Sequence, residues 1–145
     1  MKGPQDLQSL NAKGQETDPG RAAVDFFPAV KALADCVSSL EHVRVPVIAA
    51  INGYCLGAGN DFISACDIRI CTTSAKFSIK EVDLGLASDI GVHQRLQKIV
   101  KNGSWVRELA FTGRNFGADE ALKQGYVSKV CKSNEECLTE SLKLA

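Results

Sequence analysis

Pro46-Val47-Ile48-Ala49-Ala50-Ile51-Asn52-Gly53-Tyr54-Cys55-Leu56-Gly57-Ala58-Gly59-Asn60-Asp61 joins an apolar run, a turn and a glycine-rich step. Residues 45–51 are β-branched and apolar on both faces of an extended chain. That predicts a buried strand, with Pro46 near its start where a missing N–H matters least. Asn52-Gly53 signals a turn. Gly57-Ala58-Gly59 then leads into a short helix expected over 60–66. Small residues let backbone approach a ligand closely, and glycine adopts dihedrals closed to other residues. The helix that follows points unpaired N–H groups, with their partial positive charge, back at the turn. Such a turn can hold the negative charge that develops on a carbonyl oxygen, or a phosphate; a tight turn made for packing alone fits equally well. The third glycine of a dinucleotide fingerprint and the Gly-Lys-Ser/Thr of a P-loop are both missing.

Upstream, Val24, Phe27, Val30, Leu33, Val37 and Leu40 recur at helical spacing, predicting an amphipathic helix over 22–40 whose stripe is assigned to core packing. Residues 1–21 are polar and are expected to form a flexible entry segment, with 22–145 a core domain. Downstream, strands are expected over 67–71 and 75–79. Gly85 and Gly91 bracket a loop. Helices are expected over 92–100 and 104–111, with Gly103 between them and Gly113 after the second. A short helix over 117–123 closes at Gly125. A strand over 126–130 and a helix over 134–144 follow. No internal repeat is visible in the sequence, and the alternation of strands and helices argues an α/β fold.

The chain has 145 residues, with 45% hydrophobic and 23% charged, enough for one domain with a real core. Lys+Arg and Asp+Glu are 17 each, so no basic excess points to nucleic acid or a membrane surface. The longest apolar stretch falls far short of the roughly 20 residues that span a bilayer. Met1-Lys2-Gly3-Pro4-Gln5 lacks the apolar core of a signal peptide. Leu142-Lys143-Leu144-Ala145 is not a Ser-Lys-Leu address, so no targeting signal is expected in this chain. Cys36, Cys55, Cys66, Cys71, Cys131 and Cys137 form no C-x-x-C pair and read as reduced, mostly buried thiols rather than a zinc site.

Three carboxylates are candidates for chemistry. Asp61 falls in the first turn after the glycines, where helix capping is the plain alternative. Glu81 follows a strand-like run beside Lys80 and Asp83, where a solvated charge cluster is the alternative. Asp89 lies in Leu86-Ala87-Ser88-Asp89-Ile90-Gly91 among apolar and small neighbours, a setting that suits acid/base work; capping the helix at Val92 is its alternative. His42 and His93 are isolated, so no metal site is expected. Ser88 lacks the Gly-x-Ser-x-Gly setting of a hydrolase nucleophile.

The order of these pieces resembles the crotonase (enoyl-CoA hydratase/isomerase) superfamily. The stretch 46–61 is similar to its P-V-I-A-A-[IV]-[NH]-G-x-x-x-G-[GA]-G-x-[DE] signature. Ala65-Cys66-Asp67-Ile68-Arg69 matches A-x-D-[IL]-R. Phe77 through Gly85, Gln94-Arg95-Leu96, Phe111-Thr112-Gly113-Arg114, Ala118-Asp119-Glu120-Ala121 and Gly125-Tyr126-Val127 continue the register. Hydratases of the family carry Glu at the first two sites and glycine where Asp89 stands. Simple enoyl-CoA isomerases use one of the carboxylates. The set Asp61, Glu81, Asp89 resembles the Δ3,5-Δ2,4-dienoyl-CoA isomerases, and the stretch 80–91 is especially similar to that subfamily.

The resemblance implies a ββα spiral fold and a proton-transfer isomerisation in fatty-acid β-oxidation. The thioester carbonyl of an acyl-CoA would sit on the N–H of Ala58, with Gly57 and Gly59 shaping the turn. Glu81 would be the base at C2 and Asp89 the acid at C6, with Asp61 orienting or tuning the pair. Unequal burial is the usual way to split carboxylate acidities. No metal or redox cofactor is expected, since CoA belongs to the substrate. The family also implies trimers paired into hexamers, in peroxisome or mitochondrion. Against the family pattern the fold is expected to be incomplete, without the N-terminal strands and the C-terminal helices. Gly3-Pro4-Gln5-Asp6-Leu7 only partly resembles the loop that carries the second oxyanion donor, and losing one such donor costs about 100- to 1000-fold in rate. The alternative reading is a catalytically silent crotonase-like module that binds an acyl-CoA or a partner subunit; within the family, an enoyl-CoA hydratase is another.

Overall fold

The computed structural model describes residues 18–145. Both the flexible segment expected over 1–21, apart from its last residues, and the partial loop motif at 3–7 lie outside the described residues.

The chain makes the same excursion twice. Strand β1 (Ile48–Ile51) lies in one sheet. Gly53 turns the chain into β2 (Tyr54–Leu56) of a second sheet, and α2 (Ala58–Ala65) follows. Strand β3 (Ile68–Thr72) returns to the first sheet, β4 (Lys76–Ser78) to the second, and a 3-10 turn (Glu81–Leu84) leads on to α3 (Val92–Ile99). This strand–strand–helix unit repeats in geometry though not in sequence. It is held by parallel pairing in both sheets, Ile48 opposite Ile68 in one and Tyr54 opposite Lys76 in the other. Helix α4 (Gly103–Thr112), strand β5 (Phe116–Gly117), α5 (Ala118–Lys123), β6 (Lys129–Cys131) and α6 (Asn134–Leu144) complete the fold. Strand β6 adds parallel to β3, and β5 adds antiparallel to β4. Before these elements comes α1 (Pro19–Ser38), which Asp18 caps by accepting the Arg21 N–H at 3.1 Å, and which runs into a 3-10 turn (Ser39–His42).

The core lies where β4 and β5 meet helices α3 to α5. Phe77 of β4 stacks on Phe116 of β5 with ring centroids 5.2 Å apart, and Trp105 of α4 meets Phe116 edge-on at 5.0 Å. Tyr126 packs edge-on against Phe77 at 5.7 Å. Offset and edge-on contacts of this kind suit the aromatic quadrupole and add to the burial of large apolar area. Val92, Leu96, Val106 and Leu109 close the cluster.

The stripe on α1 does not pack into the core. Val24, Phe27 and Leu33 are exposed and Val37 alone is buried, because among the described residues only the C-terminal part of the helix meets a neighbour. The strand expected over 45–51 is shorter and only its last residue, Ile51, is buried; Val45 is exposed. The last strand begins at Lys129 rather than 126, since the Tyr126 N–H turns back to the Ala121 carbonyl at 2.8 Å and closes the end of α5. Strands β2 and β5 are too short to show in the pattern of hydrophobic residues.

Candidate active site

The glycine-rich turn is built from both sheets. Gly57 takes φ +51° and ψ −124°, and its N–H donates to the Ser78 carbonyl of β4 at 2.9 Å. Its carbonyl accepts the Asn60 N–H at 2.8 Å. Ala58 is the first residue of α2, two residues earlier than the helix expected from 60 onward, so the N–H groups of Ala58 and Gly59 have no intrahelical acceptor. No side chain caps this end. A Cβ placed on Gly57 would lie 3.2 Å from Glu81 Oε1, so the Glu81 carboxylate rests directly against the turn.

Asp61 is fully buried. Its Oδ1 accepts the Val92 N–H, at the start of α3, at 2.6 Å. Its Oδ2 has no partner, and neither does the buried Oε2 of Glu81; they are the two such side-chain oxygens among the described residues. Burial pushes the Asp61 carboxyl up to about 6; the neighbouring Glu81 charge adds to this, while the Val92 N–H and Arg95 oppose it. Glu81 opens its 3-10 turn and makes no ion pair in the charge cluster that is its alternative reading. Lys80 is held instead by Asp83 at 2.8 Å and by the Gly113 carbonyl at 2.6 Å.

Asp89 is exposed on the loop that enters α3. Among the described residues no hydrogen bond joins it to Asp61 or Glu81. The capping role weighed for it is corrected, since the Val92 N–H is taken by Asp61, reaching across from another helix. The structure thus gathers Gly57, Ala58, Gly59, Asp61 and Glu81 and leaves Asp89 on the loop that Asp61 anchors. Among the described residues there is no cluster of metal-ligating side chains, and no helix is long and apolar enough to cross a membrane.

A family model for enoyl-CoA hydratase/isomerase matches residues 23–145, a span that holds all three carboxylates and the turn. The chain belongs to the enoyl-CoA hydratase/isomerase family. It is 52% identical over 106 residues to the mitochondrial Delta(3,5)-Delta(2,4)-dienoyl-CoA isomerase of Mus musculus, covering 73% of this chain and 32% of that protein. It is 44% identical over 135 residues to the peroxisomal Delta(3,5)-Delta(2,4)-dienoyl-CoA isomerase of Arabidopsis thaliana, covering 90% and 48%. The crystal structure of a probable enoyl-CoA hydratase/isomerase from Mycobacterium abscessus superposes with a TM-score of 0.76 at 31% identity, over 90% of this chain and 48% of that one. The chain therefore spans about a third to a half of the length of these relatives. The α/β expectation holds, and the recurring strand–strand–helix unit is the spiral of the enoyl-CoA hydratase/isomerase fold.

Two residues around the site went unread in the sequence. Asn60 filled the open position of the glycine signature, and Arg95 fell inside a matched block without a role. Arg95 is buried, donates to Glu41 at 3.0 and 2.9 Å and to Ser38 Oγ at 2.8 Å, and so ties α3 to the end of α1. A charged residue between Val92 and Leu96 on a core-facing helix was the available signal.

Asp61 makes stability depend on pH in a set direction. Its carboxyl goes from 3.8 when unfolded to about 6 when folded, so the folded chain holds the proton more tightly. The stabilisation from that proton is fully present below about pH 3.8 and is lost as pH rises through 6. Asp61→Asn keeps an oxygen for the Val92 N–H and carries no charge. We expect the variant to be more stable than the parent at pH 8 by about 2 kcal/mol, and the gap to shrink toward pH 4.5. Urea denaturation at the two pH values checks this, and an equal gap at both would remove Asp61 as the titrating group.

Proposed function

We propose that this chain carries the isomerase centre that converts a 3,5-dienoyl-CoA to the 2,4-dienoyl-CoA in fatty-acid β-oxidation. The observation that supports the reading most is the pair of buried, unpartnered carboxylate oxygens, Asp61 Oδ2 and Glu81 Oε2, beside a helix end with free N–H groups. Unpartnered buried oxygens are costly, and they are useful where a substrate brings a proton to be moved. The identity to the two dienoyl-CoA isomerases supports the same reading.

In this mechanism the thioester oxygen accepts from the Ala58 N–H, and negative charge building there is stabilised by the open end of α2. Glu81 takes the proton from C2. The electron pair spreads into the diene as a dienolate, and Asp89 delivers a proton at C6. One proton leaves and one arrives, so the double bonds shift without oxidation or reduction and call for no redox cofactor. Asp61 stays beside Glu81, protonated below about pH 6, and sets the loop of Asp89 through Val92. The compartment is that of the named relatives, mitochondrion or peroxisome. Assembly with further copies of the chain, as trimers or hexamers, belongs to the same reading.

The test is to incubate the purified chain with a 3,5-dienoyl-CoA and follow the absorbance of the conjugated 2,4-dienoyl product. Asp89→Asn is expected to lower that rate by about 100-fold or more while thermal stability stays unchanged. Unchanged turnover in the variant would overturn the role of Asp89. Binding of the acyl-CoA with no turnover in the parent chain would replace the isomerase reading by that of a silent binding module.

A further inference from the structure

The family signature leaves one position open between the last glycine and the carboxylate, and this chain places Asn60 there. The residue is 1% exposed, yet its side-chain amide has partners for its oxygen and for both of its N–H groups. Its Nδ2 donates to the Cys55 carbonyl of β2 at 3.1 Å and to the Ser78 carbonyl of β4 at 2.8 Å, with a longer approach of 3.4 Å to the Gly57 carbonyl. Its Oδ1 accepts the Tyr126 hydroxyl at 3.1 Å. The Ser78 carbonyl is the same one that accepts the Gly57 N–H. One side chain therefore grips the strand before the turn, the strand beneath it and the turn itself.

Tyr126 is a firm anchor for that grip. It is fully buried in the aromatic cluster, its N–H is held by the Ala121 carbonyl at 2.8 Å, and its carbonyl accepts Arg69 Nε at 2.8 Å. Arg69 in turn donates from Nη1 to the Cys66 carbonyl at 2.6 Å, just past the far end of α2. Both ends of the helix are thereby tied to one tyrosine.

We infer that Asn60, anchored by Tyr126, is a positioning residue that holds the Gly57-Ala58-Gly59 turn in the conformation that presents its free N–H groups. It touches no reacting atom in the mechanism; it acts through the backbone of the turn. The physical demand is that Gly57 keeps a backbone conformation strained for other residues, and that oxyanion donors work only when aimed within a fraction of an ångström. The effect on rate rests on the isomerase reading above. The effect on the turn does not.

The experiment separates the two. Amide hydrogen exchange of Gly57, whose N–H is bonded to Ser78, is measured by NMR in the full chain, in Tyr126→Phe and in Asn60→Val. The amide of Leu109, in the buried core of α4, serves as the reference for overall stability. We expect exchange at Gly57 to quicken by about tenfold or more relative to Leu109 in both variants, as local opening without global loss requires. In the turnover assay, kcat should fall about tenfold with KM nearly unchanged, since misaimed donors weaken the transition state more than substrate binding. Exchange at Gly57 that stays at the parent value, or that moves in step with Leu109, overturns the inference. An inactive parent chain would instead overturn the isomerase reading, and the exchange data would still decide the role of Asn60.

Discussion

Glu81→Gln should lower turnover of a 3,5-dienoyl-CoA by about 100- to 10,000-fold, the range that a positioned general base supplies. The substitution keeps the shape of the side chain and its place against Gly57, where Glu81 Oε1 lies 3.2 Å from the position of a Cβ. What it removes is the ability to take a proton. No cation neutralises Glu81 among the described residues, because Lys80 is occupied by Asp83 and by the Gly113 carbonyl. The carboxylate is thus left free to act on a substrate. Stability should hold or rise slightly in the variant, since a neutral amide costs less to bury than an unpartnered carboxylate oxygen. The measurement is kcat beside the urea midpoint. A kcat within threefold of the parent would place the base elsewhere.

Gly91→Ala should cost about 2 kcal/mol of stability, the range for a residue forced into a sparsely populated backbone region together with lost hydrogen bonds from a charged group. Gly91 has φ +139°, a region that L side chains rarely adopt, and its added Cβ would lie 1.6 Å from Arg95 Nη1. The guanidinium would have to leave. Arg95 is only 8% exposed, and its departure surrenders Glu41 and Ser38, the contacts that tie α3 to the end of α1. Glu41 is half exposed and rehydrates, so no buried charge is left alone. Because the clash is with Arg95, combining Gly91→Ala with Arg95→Met should cost less than the two losses added. Strict additivity, read from urea midpoints, would show that backbone strain alone is responsible. The loop of Asp89 ends at Gly91, so turnover should fall as well.

The long, periodic elements of this fold were legible in the sequence, and the reasons differ from place to place. The helix expected over 134–144 has those bounds, and Ser133 caps it by accepting the Glu136 N–H at 3.1 Å. The strand from Ile68 was displaced by one residue. The stripe on α1 carried the same periodicity as a core helix, yet the structure leaves it exposed: period reports a face and not what covers it. At the site, residue types could nominate Asp61, Glu81 and Asp89 but not rank their surroundings. The loop residue Asp89, chosen for its apolar neighbours in sequence, is exposed. Asp61, for which capping its own helix is the plain alternative, is buried and accepts an N–H at the start of another helix. The bond that Asp61 accepts comes from Val92, 31 residues away, and no local window contains both.

The bond between Tyr126 and Asn60 spans 66 residues of chain, and that between Tyr126 and Arg69 spans 57. Contacts of such sequence separation close late, because the loop entropy is lost before they return anything. The glycine turn also precedes Tyr126 in the chain and is synthesised first. Until Tyr126 is made, Asn60 lacks the hydroxyl that its Oδ1 accepts. If Tyr126 holds the turn as inferred, the residue that completes the aromatic core is also the one that completes the turn.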